Sequence, residues 1–434
     1  MGAEDNRNEQ EQEPELLDLK TLKVISVLGR GAKGVAFLVR NEVTGENLAL
    51  KVILKDLILK KKKENGDEDG RSVYRRIWFE RDVLKSFRHP LLPRLGGFVE
   101  TDKIIGLAMD YCPGGDLNSL RKRQTEKMFS DDIIRFYGAE LVLALEYLHG
   151  IGIVYRDLKP ENVMIQENGH LMLVDFDLST KLSAKSPKPH QILRFNSETI
   201  SKSESVKLKR SPSFFHCFGS GISPMDSDYC STESRDMAIQ SPDSVSSCET
   251  EKSNSFVGTE EYVSPEMVQG NGHDFTVDSW CLGVVLYEML YGRTPFRGAN
   301  RKETFFRVLV KSPELVGEPT ALRDLIGKLL EKDPAKRISI EEVKGHDFFR
   351  GVDWESILQI SRPPFIPLRF EGDTQGIKGI DVELFVHEVF AGEVVGDIKG
   401  SGNLDENKKR EAHGKEILVE TQKDHSKSAD FLIF

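Results

Sequence analysis

The chain has 434 residues, of which 38% are hydrophobic, and its formal net charge is −10 at pH 7. This length and composition are sufficient for a two-lobed globular body with polar segments attached. The acidic balance argues against a general nucleic-acid-binding protein, because binding to a phosphate backbone needs clustered lysine and arginine. No apolar run approaches the roughly 20 residues of a membrane-spanning helix, so we expect no membrane span.

The five cysteines, at positions 112, 217, 230, 248 and 281, lack the paired spacings of a zinc site or a disulfide framework. They indicate reduced thiols in an intracellular protein. The polar, acidic N-terminus does not resemble a signal peptide, and we expect a cytoplasmic protein. The basic stretch "KLKRS" near residue 209 leaves nuclear entry open, although a solvated loop explains it as well.

Residues 1–21 are rich in glutamate and lack apolar periodicity, which predicts a disordered acidic tail. Structure is expected from Leu22 onwards. The runs "LKVISVLG", "GVAFLVRN" and "LALKVIL" are short, β-branched and partly alternating, and glycine-containing turns separate them. This pattern predicts an antiparallel meander of strands.

A helix follows in "YRRIWFERDVLKSF", where Ile77, Glu80, Leu84 and Phe87 share one face. From Ser130 onwards a long amphipathic helix is predicted, and the chain stays rich in helices to about residue 350. Strands come first and helices after them. The sequence therefore predicts an α+β fold with a small antiparallel-sheet lobe, a larger helical lobe and a cleft between them.

Residues 181–254 interrupt the helical lobe with an unpatterned, serine-rich stretch that carries Ser-Pro at 186, 211, 223 and 241. A compact domain rarely holds so long a segment without secondary structure, so we interpret it as a disordered insertion. Its first half is basic and its second half acidic.

The stretch "GRGAKG" places Gly29, Gly31 and Gly34 between two predicted strands. Glycines let backbone amides approach anionic oxygens closely, so this loop can cover phosphates, although a glycine-rich hairpin turn has the same pattern. On an alternating strand Lys51 shares a face with Ala49, and Glu80 on the following helix is a candidate partner for its ammonium. An ordinary surface ion pair is the alternative.

The motifs in their order carry a family resemblance. The glycine loop, Lys51, "YRDLKPEN" (155–162), "DFD" (175–177), "SPE", "DSWCLG" and Arg337 follow one another as in the eukaryotic protein kinases, which the chain resembles over residues 22–350. "YRD" and "SFVGTEEYVSPE" resemble the AGC group of serine/threonine kinases. The "DFD" triplet and the long insertion resemble the plant branch of that group, and within it the oxidative-signal-inducible kinases and their close relatives.

This resemblance implies a bilobal kinase domain over 22–349. Its small lobe would span 22–108, its hinge 109–115 and its large lobe 116–349, with the insertion 181–254 inside the large lobe. Residues 350–434 would form an AGC-type C-terminal tail that ends in a hydrophobic motif.

The resemblance also implies an ATP-dependent serine/threonine protein kinase. Asp157 would orient the substrate hydroxyl, and Lys159 would lie against the transferred phosphate. Asn162 and Asp175 would bind Mg²⁺, because hard cations that bridge phosphates prefer oxygen ligands. The positions that match the family's nucleotide pocket are Leu28, Gly29, Gly31, Gly34, Ala36, Ala49, Lys51, Glu80, Met109, Asp110 and Cys112.

Asp177 departs from the family's usual glycine. A β-carbon makes positive-φ conformations costlier, and the added carboxylate lies two residues from a predicted metal ligand. Two interpretations stay open, an active kinase whose loop favours one state and a catalytically silent scaffold that binds nucleotide. We favour activity, because Lys51, Glu80, Asp157, Asn162 and Asp175 are all retained.

Regulation is implied by "SNSFVGTEEY", where Ser255 matches the activation-loop phosphorylation site. Arg156 would grip the phosphate through charge-assisted hydrogen bonds. Thr259 would contact the catalytic loop, and Glu266 would pair with Arg337.

The C-terminal "DFLIF" places Phe431 and Phe434 where the group carries its hydrophobic motif. Two exposed aromatic residues at a chain end are often unremarkable, but the match implies that this motif docks in a pocket on a small lobe. It would recruit the upstream phosphoinositide-dependent kinase that phosphorylates Ser255 or, in cis, brace the helix of Glu80.

Asp116, Glu161 and Glu288 match acidic positions that receive arginines upstream of the target serine, which predicts basic-directed phosphorylation of protein substrates by a monomer. Solvated surface carboxylates are the alternative for these three residues.

Two other classes of function stay under consideration, the silent scaffold and a docking or targeting role of the Ser-rich insertion under proline-directed kinases. The docking role is compatible with kinase activity. A small-molecule kinase fits less well, because "GTEEYVSPE" resembles a segment that forms a peptide-binding platform.

Overall fold

The computed structural model describes residues 16–31, 34–58, 71–182, 253, 255, 257–361, 363–367 and 380–390. The strands are β1 (Leu22–Arg30), β2 (Gly34–Asn41), β3 (Asn47–Leu54), β4 (Leu95–Glu100), β5 (Ile104–Asp110), β6 (Ile153–Val154), β7 (Val163–Ile165), β8 (Leu171–Leu173) and β9 (Thr180–Lys181). The α-helices are α1 (Arg71–Ser86), α2 (Leu117–Lys122), α3 (Asp131–Gly150), α4 (Pro265–Gln269), α5 (Thr276–Tyr291), α6 (Arg301–Val310), α7 (Ala321–Leu329), α8 (Ile340–Val343) and α9 (Val382–Val389).

The first five strands form one antiparallel sheet in the order β1-β2-β3-β5-β4. Alternation along β2 and β3 divides this sheet into two faces. Val35, Phe37 and Leu50 point to one side, which we call the outer face, while Ala36 and Lys51 point to the other, the cleft face. The predicted antiparallel meander is therefore confirmed.

The larger lobe is built around α3 and α5. Helix α5 is buried along most of its length, and α3 buries one side. The core of this lobe is continuous with the inner side of α1, because Val83, Leu84 and Phe87 belong to the same buried cluster. The predicted α+β organisation, with a small sheet lobe and a larger helical lobe, is confirmed. Within the residues described, no helix combines the length and the apolar character needed to cross a bilayer.

Residues 16–21, which were predicted to belong to a disordered acidic tail, are instead part of the ordered small lobe. Leu16 forms a bridge with Phe98, Leu17 is buried in the sheet's core cluster, and Leu19–Thr21 forms a short 3₁₀ helix. Burial of an apolar side chain stabilises an ordered segment even where the surrounding composition is polar. The interior of the predicted insertion lies outside the described residues, which stop at Leu182 and resume at Ser253.

Candidate active site

The lysine on β3 lies between two carboxylates from different parts of the chain. Lys51 Nζ is 2.9 Å from Glu80 Oε1 and 2.8 Å from Asp175 Oδ1. Glu80 faces the cleft because it shares the buried face of α1 with Ile77 and Leu84. The ion pair between Lys51 and Glu80 that strand alternation and helix periodicity suggested is thus present. Asp175 is a second carboxylate partner of the same ammonium.

The charges around this lysine fix its protonation. Burial alone would lower the pKa of Lys51, but the carboxylates of Asp175, Glu80 and Asp177 outweigh it and hold that pKa above its ordinary value. Burial likewise opposes ionisation of Asp175, and Lys51 more than offsets it, so the pKa of Asp175 is lowered. The lysine is a permanent cation beside a permanent carboxylate.

Asp157 lies in the loop after β6 and accepts hydrogen bonds from three side chains. Lys159 Nζ donates to Oδ2 at 2.8 Å, Asn162 Nδ2 donates to Oδ2 at 2.9 Å, and the Thr259 hydroxyl donates to Oδ1 at 2.9 Å. The Lys159 ammonium also reaches the Thr259 hydroxyl at 3.1 Å. Four of the predicted site residues therefore meet at one carboxylate.

Two residues of this region have backbone conformations that glycine usually takes. Arg156 has a φ of +69° and Asp175 a φ of +59°. Such conformations cost of order 1–3 kcal/mol for other residues and persist only where surrounding contacts impose them. Here the Arg156 amide donates to Asp278 Oδ1 at 2.8 Å, and the guanidinium donates from Nε to the Leu178 carbonyl at 2.7 Å.

Asp177 does not share that conformation. The φ angle of Asp177 is not positive, so its β-carbon causes no backbone strain in this conformation. Its carbonyl accepts a hydrogen bond from Arg76 Nη1 of α1 at 3.3 Å. The aspartate at this position is thus compatible with an assembled site, and its main chain links the triplet to the helix that carries Glu80.

The donor set fits a nucleotide-bound magnesium ion. Asn162 Nδ2 donates hydrogen bonds to the backbone carbonyl of Asp157 at 3.0 Å and to the Asp157 carboxylate at 2.9 Å. The side-chain oxygen of Asn162 is therefore the atom that could bind a cation. The Asp175 carboxylate accepts from Lys51 Nζ at Oδ1 and from the Asp177 backbone, and carboxylate oxygens are ligands that Mg²⁺ prefers. Among the residues described, three or more acidic, His or Cys side chains nowhere cluster as metal ligands. Mg²⁺ commonly binds through one or two such groups together with phosphates.

The predicted nucleotide pocket lies on the cleft face of the sheet. Gly29, Ala36 and Lys51 are aligned across three strands, and Ala49 lies opposite Met109 of β5. Residues directly opposite in antiparallel strands share a face, so these side chains line one surface.

Beyond β5 a small apolar cluster underlies the hinge. Cys112 packs with Met164, Met172 and Val174, and its Sγ lies 3.6 Å from Met172 Sδ. Asp110 is held by the Arg94 amide, which donates to its carboxylate at 2.8 Å. Leu28 is half-buried at an irregularity in the β1–β2 pairing, between Val27 and Gly29.

Gly34 is required by packing as well. A β-carbon at that position would come within 1.9 Å of the Val52 carbonyl, so only glycine allows β2 to lie against β3 at this point. Gly31 closes the turn by donating its amide to the Gly34 carbonyl at 2.8 Å.

The predicted regulatory residues also meet. Arg156 Nη1 donates to the Ser255 hydroxyl at 2.5 Å and lies 3.2 Å from the Ser253 hydroxyl and 3.3 Å from His273 Nε2. Burial and the neighbouring Arg156 charge lower the pKa of His273 to about 4. The imidazole is therefore neutral near pH 7.

Farther from the cleft, Arg337 and Glu266 form a buried ion pair. Arg337 Nη1 lies 2.6 Å from Glu266 Oε1, and Arg337 Nη2 lies 2.9 Å from Glu266 Oε2.

Phe431 and Phe434, in the predicted hydrophobic motif, lie outside the described residues.

The three carboxylates predicted to read substrate arginines have different environments. Asp116 is the N-cap of α2 and accepts from the Ser119 amide at 2.8 Å. Glu288 is buried, with Arg121 Nη2 at 2.8 Å and the Tyr262 hydroxyl as its partners.

Glu161 is less completely paired than the other two. Its Oε1 accepts from Asn118 Nδ2 at 2.7 Å, whereas its buried Oε2 has no hydrogen-bond partner among the residues described. Burial raises its pKa, and the charge of Glu288 adds to that effect.

Asp278, which lies within "DSWCLG", has a role in the site that was not predicted from the sequence. The structure shows that its carboxylate accepts from the backbone amides of Tyr155 and Arg156 and lies 2.8 Å from His149 Nε2. It therefore anchors the loop that carries Asp157. The sequence feature that could have indicated this role is an acidic residue in a mostly apolar helix. A buried carboxylate without a partner is costly, so such a residue is expected to bind a polar group.

Comparison with known proteins agrees with this geometry. The family model described as the protein kinase domain matches residues 22–200 and 243–349. Serine/threonine-protein kinase OXI1 of Arabidopsis thaliana is 59% identical over 384 residues, which cover 88% of this chain and 88% of OXI1.

Two further relatives are more distant. Serine/threonine-protein kinase UCN of Arabidopsis thaliana is 43% identical over 382 residues, covering 83% of this chain and 87% of UCN. Phototropin-2 of Oryza sativa subsp. japonica is 38% identical over 366 residues, covering 82% of this chain and 35% of the phototropin. The chain therefore belongs to the protein kinase family, as a serine/threonine protein kinase of the plant AGC group.

Proposed function

We propose that this kinase transfers the γ-phosphate of ATP, with Asp157 orienting the hydroxyl of a serine or threonine in a protein substrate. The observation that supports this proposal most directly is the position of Lys51 Nζ, which lies 2.9 Å from Glu80 Oε1 and 2.8 Å from Asp175 Oδ1. Such an ammonium is placed to bind phosphate oxygens without rearrangement. Lys159, already 2.8 Å from Asp157, would offset the charge of the transferred group.

Bound Mg²⁺ would neutralise the negative charge of the triphosphate and screen the charge that develops during transfer. Asp175 and the side-chain oxygen of Asn162 would hold the ion. Thr259 and Asn162 fix the orientation of the Asp157 carboxylate through their hydrogen bonds, so the alcohol meets a positioned acceptor.

Phosphate incorporation from Mg-ATP into the chain itself and into a serine peptide tests this proposal. Asp157→Ala should reduce incorporation by at least about 100-fold, because it removes the group that orients the nucleophile. Asp102→Ala, at an exposed position, is the control and should retain activity. Equal incorporation by wild type and Asp157→Ala would support the silent scaffold instead, with the phosphate coming from a contaminating kinase.

We infer a preference for arginine upstream of the target residue, read chiefly at Glu161. Asp116 caps α2, and Glu288 forms an ion pair with Arg121. Glu161 instead has a buried Oε2 without a hydrogen-bond partner among the residues described, and a substrate arginine could donate a hydrogen bond to it. A charge-assisted hydrogen bond contributes roughly 1.5–3 kcal/mol, so Glu161→Gln should reduce the preference for an arginine peptide about 10-fold or more. Equal kcat/KM values for arginine and alanine peptides with the wild type would refute this.

We also propose that phosphorylation of Ser255 activates the enzyme. The support is the contact between Arg156 Nη1 and the Ser255 hydroxyl, since a dianion there would meet a guanidinium already in place. The upstream phosphoinositide-dependent kinase would dock on the C-terminal motif at Phe431 and Phe434, and the pathway would serve stress or growth signalling. Ser255→Ala should lose activation by that kinase, and Phe431→Ala should slow phosphorylation of Ser255.

A further inference from the structure

A polar pocket surrounds Ser255, the proposed site of activating phosphorylation. Arg156 Nη1 donates to the Ser255 hydroxyl at 2.5 Å. The Ser253 hydroxyl lies 3.2 Å from the Ser255 hydroxyl, and His273 Nε2 lies 3.3 Å from the same Arg156 Nη1. Three separate parts of the chain therefore meet around one serine side chain, which are the loop after β6, the two serines and the stretch before α5.

The main chain fixes the histidine in this pocket. The Ser253 amide donates to the His273 carbonyl, and the His273 amide donates to the Ser253 carbonyl, both at 2.8 Å. These two bonds form an isolated antiparallel bridge. His273 is only 3% exposed. The imidazole is thus held beside the serines and away from bulk water.

The contact with Arg156 defines the state of the imidazole before phosphorylation. A guanidinium has only N–H donors, so Nε2 of His273 faces it as an acceptor and the proton of the neutral ring lies on Nδ1. The carboxylates of Glu266, Asp278 and Asp274 favour a second ring proton, but burial and the Arg156 charge outweigh them and lower the pKa of His273 to about 4. At neutral pH the pair of Arg156 and His273 therefore carries one positive charge.

A phosphate on Ser255 would change this balance of charge. It carries about −1.5 to −2 charges at pH 7 and presents three acceptor oxygens, whereas Arg156 supplies a single positive charge beside it. A buried charge that is only partly offset is costly. An imidazole that gains a proton adds a second positive charge, and its Nε2 changes from an acceptor into a donor. The two cations together match a dianion.

We propose that His273 is a second cationic ligand of a phosphate on Ser255, which it binds after taking one proton from the solvent onto Nε2. Arg156 and the protonated His273 then both donate to phosphate oxygens, and the Ser253 hydroxyl is close enough to donate as well. This inference rests on the proposed phosphorylation of Ser255, which supplies the phosphoryl group. It links the phosphorylated serine to the stretch that leads into α5, the helix whose Asp278 anchors the loop of Asp157.

Histidine titration in the full chain tests the proposal directly. Phosphoserine is incorporated genetically at position 255, so the comparison needs neither an upstream kinase nor phosphate transfer by this chain. Proton–carbon NMR spectra of the imidazole rings are recorded from about pH 5.5 to 8.5, and the His273 signal is the one that His273→Gln lacks. This ring should stay neutral in the unmodified chain, whereas its titration midpoint should rise by at least about two pH units with phosphoserine.

The titration remains decisive if His273→Gln does not fold. The chains with serine and with phosphoserine at 255 are compared without any other substitution, and a midpoint that rises on phosphorylation is expected in one histidine signal. If no histidine midpoint rises, the proposal is overturned.

The activation produced by phosphoserine measures the consequence for the enzyme. It is the ratio of kcat/KM values, for one serine peptide, between the chains with phosphoserine and with serine at 255. His273→Gln keeps a neutral donor but cannot gain a proton, and should reduce this ratio at least about fivefold. His387→Gln, at an exposed position on α9, is the control and should leave the ratio unchanged. An undiminished ratio in His273→Gln would refute the role of His273.

The two readouts separate this inference from the proposed activation. A raised His273 midpoint in a chain that phosphoserine does not activate would uphold the phosphate ligand and refute activation through Ser255. Activation by phosphoserine with an unchanged His273 midpoint would refute the ligand alone.

Discussion

Replacing Asp278 by asparagine should disrupt the loop that carries Asp157. The carboxylate is fully buried in α5. Its Oδ1 accepts from the Arg156 amide at 2.8 Å, and its Oδ2 accepts from the Tyr155 amide at 2.9 Å and lies 2.8 Å from His149 Nε2. Tyr155 and Arg156 immediately precede Asp157, so their amides set the path of the main chain into it.

The magnitude follows from the number of acceptors. Asparagine has one acceptor oxygen and a donor NH₂ group, and either orientation turns the NH₂ toward a backbone N–H that the carboxylate had accepted from. A buried donor left unsatisfied costs about 1–3 kcal/mol, and each charge-assisted bond contributes about 1.5–3 kcal/mol. Together we expect a loss of about 3–5 kcal/mol, comparable to breaking a buried ion pair from one side.

Urea denaturation followed by fluorescence measures the free energy of unfolding, and peptide phosphorylation measures kcat. Since a misplacement of about 1 Å can reduce a rate about 100-fold, kcat should fall by at least a factor of about 10 even in folded protein. Asp324→Asn is the matched control, because that carboxylate is exposed on α7, and it should cost less than about 1 kcal/mol. An Asp278→Asn enzyme with wild-type kcat and stability within about 1 kcal/mol would refute the reasoning.

Further predictions concern the other buried charges. Lys51→Met should reduce kcat/KM at least about 100-fold while Lys55→Met, at a partly exposed pair, leaves it near wild type, as measured by peptide phosphorylation. Glu266→Gln should lose about 3–5 kcal/mol in urea denaturation, and a Glu266→Leu/Arg337→Met double variant should recover much of it; no recovery would contradict the cost of an uncompensated buried charge. Because the pKa of His273 is about 4 in the folded chain, the unfolded chain takes up a proton first as the pH falls below 6.5. Wild-type stability should therefore drop between pH 6.5 and 4, by up to about 3 kcal/mol from this group, and His273→Gln should show a shallower decline.

Local periodicity accounts for the parts of the site that were predictable. Alternation on β3 puts Lys51 on the face of Ala49, and the spacing of three and four on α1 puts Glu80 on the buried face. Both rules follow from backbone geometry alone, so they placed these two side chains without knowledge of the tertiary contacts. The structure adds the distance that joins them.

Long-range partners were not predictable in the same way. Nothing in the local pattern states that Asp278 binds two amides more than 120 positions earlier, or that Glu288 is neutralised by Arg121. The left-handed conformations of Arg156 and Asp175 also run against residue preference, since glycine is favoured there. Tertiary contacts override that preference at the site. Helix α9 was likewise not predicted from the sequence.

The two functional carboxylates are held in different ways, and this difference bears on control. Among the described residues, the Asp157 carboxylate accepts hydrogen bonds from large-lobe residues only, which are Asn162, Lys159 and Thr259, and its loop is anchored by Asp278. Asp175 instead reaches across the cleft to Lys51 of the small lobe. Opening of the cleft would therefore separate the Lys51 ammonium from the Asp175 carboxylate while leaving Asp157 oriented.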